Sequence, residues 1–127
     1  IAVGLGLPDA FFADAAATLR RKHEILGEGL RTAGFEVIPP QGGYFTVADA
    51  GALGGSDAAA FCRALPERAG VVATNQVLSG SYGKKIPLSA FVSAEHQDRF
   101  AGLVRFAACK RVEVLEEAAR RLSAAEF

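Results

Sequence analysis

From Phe12 onward, apolar side chains recur at Ala15, Leu19, Leu26, Leu30 and Ala33, while Arg20, Arg21, Glu24, Glu28 and Arg31 occupy the other side. That three-and-four spacing lines one flank of an α-helix and leaves the opposite flank to water. Pro8-Asp9 marks the entry, and Gly34 ends the run, because glycine accepts the left-handed conformation that closes a helix. Gly27 and Gly29 each cost about 1 kcal/mol relative to alanine inside a helix, which predicts a bend or fraying at mid-length. A helix of about 25 residues is roughly 37 Å long. A compact domain of this size is only about 36 Å across. One end of the helix is therefore expected to brace something beyond this chain.

After the helix the period changes. Phe35–Ile38 alternates as a short strand and is closed by Pro39-Pro40; Gln41-Gly42-Gly43 turns, and Tyr44–Val47 returns as its antiparallel partner. Ser56 and Asp57 are N-cap residues for a helix that turns Phe61, Cys62 and Leu65 inward, with Pro66 expected to end or distort it. Val71-Val72-Ala73 predicts a buried strand, and Leu103–Ala108 a second, interrupted only by Arg105. Val112–Ala124 predicts a last helix with Leu115, Ala118 and Leu122 on one face. Its early Glu113, Glu116 and Glu117 and late Arg120 and Arg121 complement the helix dipole. Helices alternating with short strands give an α/β (α+β) class: a small mixed sheet flanked by helices, as one domain over residues 1–127.

Composition narrows the function. Half of the 127 residues are apolar, enough for a core, and 14 basic residues balance 14 acidic ones. No net field attracts nucleic acid or an anionic membrane, and no apolar run approaches the roughly 18 residues of a membrane span. Cys62 and Cys109 lie outside any CxxC or Cys/His cluster, which argues against a disulfide framework or a zinc site and for a cytoplasmic setting. The chain starts at Ile1 and contains no methionine, so it reads as a piece of a longer polypeptide.

Arg105 is the principal candidate for chemistry. A guanidinium inside Leu103-Val104-Arg105-Phe106-Ala107-Ala108 loses hydration, and its planar fork suits a carboxylate held by two parallel bonds. On spacing alone an arginine on the solvated face of an edge strand, or one paired internally, fits as well. Other candidates are weaker. His23 and His96 have no second ligand at metal spacing and read as surface residues. Ser79, Ser81 and Ser89 have no recognisable base partner, and no GxSxG occurs. Gly83-Lys84 lacks the first glycine and the hydroxyl residue of a phosphate loop. Glu116-Glu117 reads as a solvated helix face.

The run Leu103 to Arg111, followed by Glu113-Val114-Leu115-Glu116-Glu117-Ala118, resembles the C-terminal signature of class I aminotransferases of fold type I, most of all the kynurenine and N-succinyldiaminopimelate group. Phe11 to Gly34 resembles the helix leading into their small domain, Phe35 to Phe45 their hairpin, Gly70–Ala73 their next strand, and Ile86-Pro87-Leu88-Ser89-Ala90-Phe91 the segment after it. The resemblance implies a C-terminal small domain that closes over pyridoxal phosphate in the parent enzyme. There the arginine matching Arg105 binds the amino-acid substrate's α-carboxylate. The Gly42-Gly43-Tyr44-Phe45 turn would lie near the substrate entrance, though an ordinary tight hairpin explains it equally. The parent is expected to be a homodimer.

Three departures from the family pattern matter. The lysine that carries the cofactor lies in the family's large domain, and Lys22, Lys84, Lys85 and Lys110 have no matching context. The isolated chain is therefore expected to bind no cofactor covalently and to be inactive alone. Ala108 stands where the family usually has phenylalanine, and Val112 replaces an acidic residue at the helix entry. Finally, Thr74 to Lys85 separates two segments that the family joins almost directly. That segment reads as a natural insertion (a hairpin turning at Ser79-Gly80, or a mobile loop) or as a graft. A graft would make the chain a scaffold with a protein partner instead of an enzyme fragment.

Two outcomes are expected. Borohydride reduction of the chain with pyridoxal phosphate should give only scattered lysine labelling; one stoichiometric, site-specific adduct would refute the absence of a cofactor lysine. Joining Ala73 directly to Ile86 should leave the melting temperature equal or slightly higher, because a loop of this length costs only on the order of 1 kcal/mol to close. A fall of several degrees would show instead that the segment belongs to the core.

Overall fold

The computed structural model describes residues 1–55, 57–73, 76–78, 85–87 and 93–127, with backbone alone for 76–78, 85–87, 94, 96 and 97. A short α1 (Ala2–Leu5) precedes the long α2 (Asp9–Thr32). Strands β1 (Glu36–Ile38) and β2 (Phe45–Asp49) follow, then α3 (Ala58–Ala69), β3 (Gln76–Leu78), β4 (Lys85–Pro87), β5 (Leu103–Ala107) and α4 (Val112–Ala124). Single 3₁₀ segments cover Gly51–Leu53 and Ala94–Phe100.

The α/β (α+β) class holds, but the pairing differs from the mixed sheet expected. The main sheet has order β1-β2-β5 and is antiparallel throughout, with Val37 opposite Ala48, Thr46 opposite Phe106 and Val47 opposite Arg105. Residues 71–73 form no strand: Val72 is exposed while Ala73 is buried in the core. β3 and β4 pair antiparallel as a separate two-stranded sheet, Val77 opposite Ile86. Within the 74–85 segment, residues 76–78 and 85 are thus paired backbone, and the expected turn at Ser79-Gly80 lies outside the described residues.

Side chains alternate across the main sheet. Val37, Thr46, Ala48, Val104 and Phe106 point to the helices, where Leu26 and Leu30 of α2, Phe61 and Leu65 of α3 and Leu122 of α4 complete the core. Phe35 is its hub, with ring centroids 5.7 Å from each of Phe61, Phe106 and Phe127. Asp57 caps α3 by accepting from the amides of Ala59 and Ala60. Pro66, expected to end that helix, lies inside it. Buried Leu65 and Ala69 hold the last turn in place, and Gly70, left-handed at φ 62°, stops it. α4 runs over the expected residues; its N-cap is Arg111, one residue before Val112, and no side chain caps it.

α2 does not break at its glycines. Residues 1–18 are all exposed, including Phe11 and Phe12, whereas Leu26, Gly27, Gly29 and Leu30 are buried. Gly29 is where α4 crosses: a methyl group there would overlap the Cβ of Ala119 and come within 2.7 Å of its Cα. At Gly27 the same group would meet only the Arg31 guanidinium, at 3.5 Å, an ordinary contact. The two glycines therefore have opposite meanings. Gly29→Ala should destabilise the chain by about 1–3 kcal/mol through overpacking, and lower its melting temperature by roughly 3–10 °C. Gly27→Ala should raise it, gaining up to about 1 kcal/mol of helix propensity. Thermal melts of the two variants check both signs.

Candidate functional site

Position 105 faces away from the helices. In β5, Val104 and Phe106 are fully or almost fully buried, and Arg105 between them is half-buried on the opposite, more open face. Across the ladder, Val47 stands opposite Arg105 and Phe45 opposite Ala107, so Phe45 is the diagonal neighbour of Arg105 on the same face. The guanidinium carbon lies 4.0 Å from the centroid of the Phe45 ring. Stacking brings the flat cation onto the negative face of the ring and does not itself use the N–H donors, which lie in the guanidinium plane. A planar, oriented fork on a partly desolvated surface is suited to a carboxylate.

The turn before β2 borders this face. Gly43 is left-handed at φ 70°, which a side chain rarely adopts, and a Cβ added at Gly42 or Gly43 would meet nothing within 4 Å. The glycines are thus required here by backbone conformation at Gly43, and the space around both is open. Tyr44 is exposed, its ring edge-on to Phe45 at 6.0 Å. Its carbonyl accepts from the Ala108 amide at 2.7 Å, which extends the β2–β5 ladder. Ala108 itself is completely buried, so the small residue there shapes the core.

His23, expected at the surface, is half-buried and bridges α2 to this turn. Its Nε2 lies 2.9 Å from the Gly43 carbonyl oxygen, and its Nδ1 lies 2.8 Å from Oγ1 of the fully buried Thr46. A carbonyl only accepts, so Nε2 carries the proton. In the neutral ring Nδ1 then accepts from the threonine hydroxyl. The signal was present in the sequence, since 23 fills the helical spacing between Leu19 and Leu26 on the apolar stripe. Phe45 was named only as part of the glycine turn, and its stacking on Arg105 was missed, because a diagonal neighbour is known only once the strand register is known.

Side chains of Ser79, Ser81, Ser89, Lys84, Lys85 and His96 lie outside the described residues. Among the described residues no group of histidine, cysteine, aspartate and glutamate could hold a metal ion. Glu117 is less idle than expected: hydrogen bonds from Arg120 and then Arg121 hold its carboxyl down at about 2, well below the usual range. It contributes to an apolar groove of about 510 Å³ beside α4, lined also by Leu26, Val71, Phe106, Leu115 and Lys110.

Comparison with known proteins agrees with this architecture. The family described as aminotransferase class I and II matches residues 5–101. A probable N-succinyldiaminopimelate aminotransferase of Mycobacterium tuberculosis is 39% identical over 97% of the chain, which spans 30% of that relative's length. The solved structure of N-succinyldiaminopimelate aminotransferase from the same organism superposes with a TM-score of 0.76 at 39% identity, covering 97% of this chain and 28% of that one. Escherichia coli YbdL, described with a methionine aminotransferase function, is similar at 30% identity and a TM-score of 0.63, over 84% of this chain and 24% of its own. With its hairpin, its open-faced arginine strand and its long leading helix, the chain belongs to the class I and II aminotransferases.

Proposed function

We infer that this chain is the substrate-clamping small domain of a pyridoxal-phosphate-dependent aminotransferase, and that Arg105 binds the α-carboxylate of the amino-acid substrate. The observation that carries this reading is the placement of Arg105: half-buried on the open sheet face, stacked on Phe45, beside a glycine turn with room around it. A carboxylate docked in the guanidinium plane is fixed in direction as well as position. That orientation is what such a domain contributes to the rate.

Among the described side chains, no lysine fits a covalent cofactor site. Lys110 is exposed beside the groove at α4, and Lys22 is half-buried on α2; neither stands in the context of a Schiff-base lysine. Pyridoxal phosphate, when bound, supplies the electron sink for transamination, and it would be held by the part of the enzyme that the relatives have beyond this match. The exposed apolar side chains of the first half of α2, Phe11 and Phe12 among them, are the surface on which that part would rest. The assembled enzyme would be a cytoplasmic homodimer. Among the described residues no helix is long and apolar enough to cross a membrane.

The test uses a chimaera in which this chain replaces the matching segment of the Mycobacterium tuberculosis relative. A charge-assisted bond to a carboxylate contributes roughly 1.5–3 kcal/mol, so Arg105→Ala should lower kcat/KM at least about tenfold while cofactor absorbance is retained. Arg105→Lys, which keeps the charge and loses the fork, should fall between the two. An unchanged kcat/KM for Arg105→Ala refutes the assignment.

A further inference from the structure

We propose that His23 is a positioning residue for Arg105: from the covered side of the sheet it fixes the turn and strand that carry Phe45, and Phe45 in turn aims the guanidinium. The proposal rests on the reading that Arg105 receives a carboxylate and adds a residue on another element to that function. Two bonds make the case. His23 donates from Nε2 to the Gly43 carbonyl at 2.9 Å, and its Nδ1 meets Thr46 Oγ1 at 2.8 Å. The two anchors lie on either side of Phe45 along the chain, two residues before it and one after.

The turn needs such an anchor. Gly42 and Gly43 are exposed, have open space around them and impose little conformational restriction of their own. A hydrogen bond from a helical side chain removes that freedom at the residue whose φ is positive. Thr46 supplies the second constraint. It is fully buried, and its side chain points to the helices while that of Phe45 points to the open face. Holding the hydroxyl from α2 therefore sets the rotation of the strand at the neighbouring position. The Phe45 ring, 4.0 Å from the Arg105 guanidinium carbon and edge-on to Tyr44, is the last link.

A neutral imidazole is well matched to this task. It offers one donor and one acceptor on opposite edges of a rigid ring, and its partners here are one obligate acceptor and one hydroxyl. Phenylalanine would keep the ring's bulk and lose both bonds. Glutamine would keep one donor and one acceptor.

The experiment is side-chain NMR on the 127-residue chain itself. A proton lying over an aromatic face is shifted upfield, so the Arg105 side-chain protons should show an upfield shift that Phe45→Leu abolishes. In His23→Phe that shift should collapse toward the Phe45→Leu value, and in His23→Gln most of it should return. A full upfield shift in folded His23→Phe overturns the proposal, as does a His23→Gln that folds and shows no recovery. Should His23→Phe not fold, His23→Gln and the wild-type chain still decide. Nitrogen spectra of wild type must show the neutral His23 ring as the Nε2–H tautomer, and the Nδ1–H tautomer would refute the clamp. These signals involve no substrate, whereas the Arg105→Ala measurement does. Loss of the carboxylate reading with the shifts intact would be recognised as a failure of that reading and not of the geometry.

Discussion

The close crossing of α2 and α4 at Gly29 is the constraint on which the rest of the molecule depends. With no Cβ at Gly29, the backbone of one helix comes down onto Ala119 of the other, and Ser123 lies within 3.5 Å of the Gly29 carbonyl. The two helices then form one continuous layer. Leu26, Leu30 and Leu122 from that layer cover Val104 and Phe106 of β5 and Ala48 of β2. A helix pair held farther apart would leave a gap above the sheet that those side chains are too short to fill, and interiors tolerate such gaps poorly.

Covering one face determines what the other can do. Among the described residues, Val104 and Phe106 of β5 pack into the helix-covered layer, and Arg105 and Ala107 lie on the other, more open face. Arg105 falls on the open side by parity alone, between two residues that are buried. Its charge is thus kept partly hydrated while its stem is held by a rigid strand. The Phe45 ring shields one face of the cation without competing for its hydrogen bonds. The same parity places Thr46 on the helix side, within reach of His23, so the face proposed to take the carboxylate and its proposed support meet at adjacent residues of one strand.

The long helix serves both halves of this arrangement. Its second half is core; its first half is exposed with apolar side chains on the surface. The turn between these regimes falls at Leu19 to Leu26, and His23 sits in it, half-buried. A residue at that boundary is dry enough for its hydrogen bonds to be worth making and wet enough for an imidazole to be tolerated.

Much of this was legible from residue order. The periodicity of Phe12–Ala33, the alternation in Phe35–Ile38 and Tyr44–Val47, the cap at Asp57 and the dipole-matched charges of Val112–Ala124 are local signals. They specify local structure because the interactions behind them span four residues or fewer. Arg105 stood out for the same reason, as a cation within an apolar run, and its resemblance to a family arginine rests on the adjacent residues. Pro66 and Gly29 were misread because propensity describes a helix in isolation; burial of Leu65 and Ala69 outweighs the proline, and contact with Ala119 requires the glycine. Val71–Ala73 has strand composition but no neighbour to pair with among the described residues. The link from His23 through Thr46 and Phe45 to Arg105 joins positions 23, 46 and 105. Only the packed fold brings them together, because strand register and helix placement depend on contacts far apart in the chain.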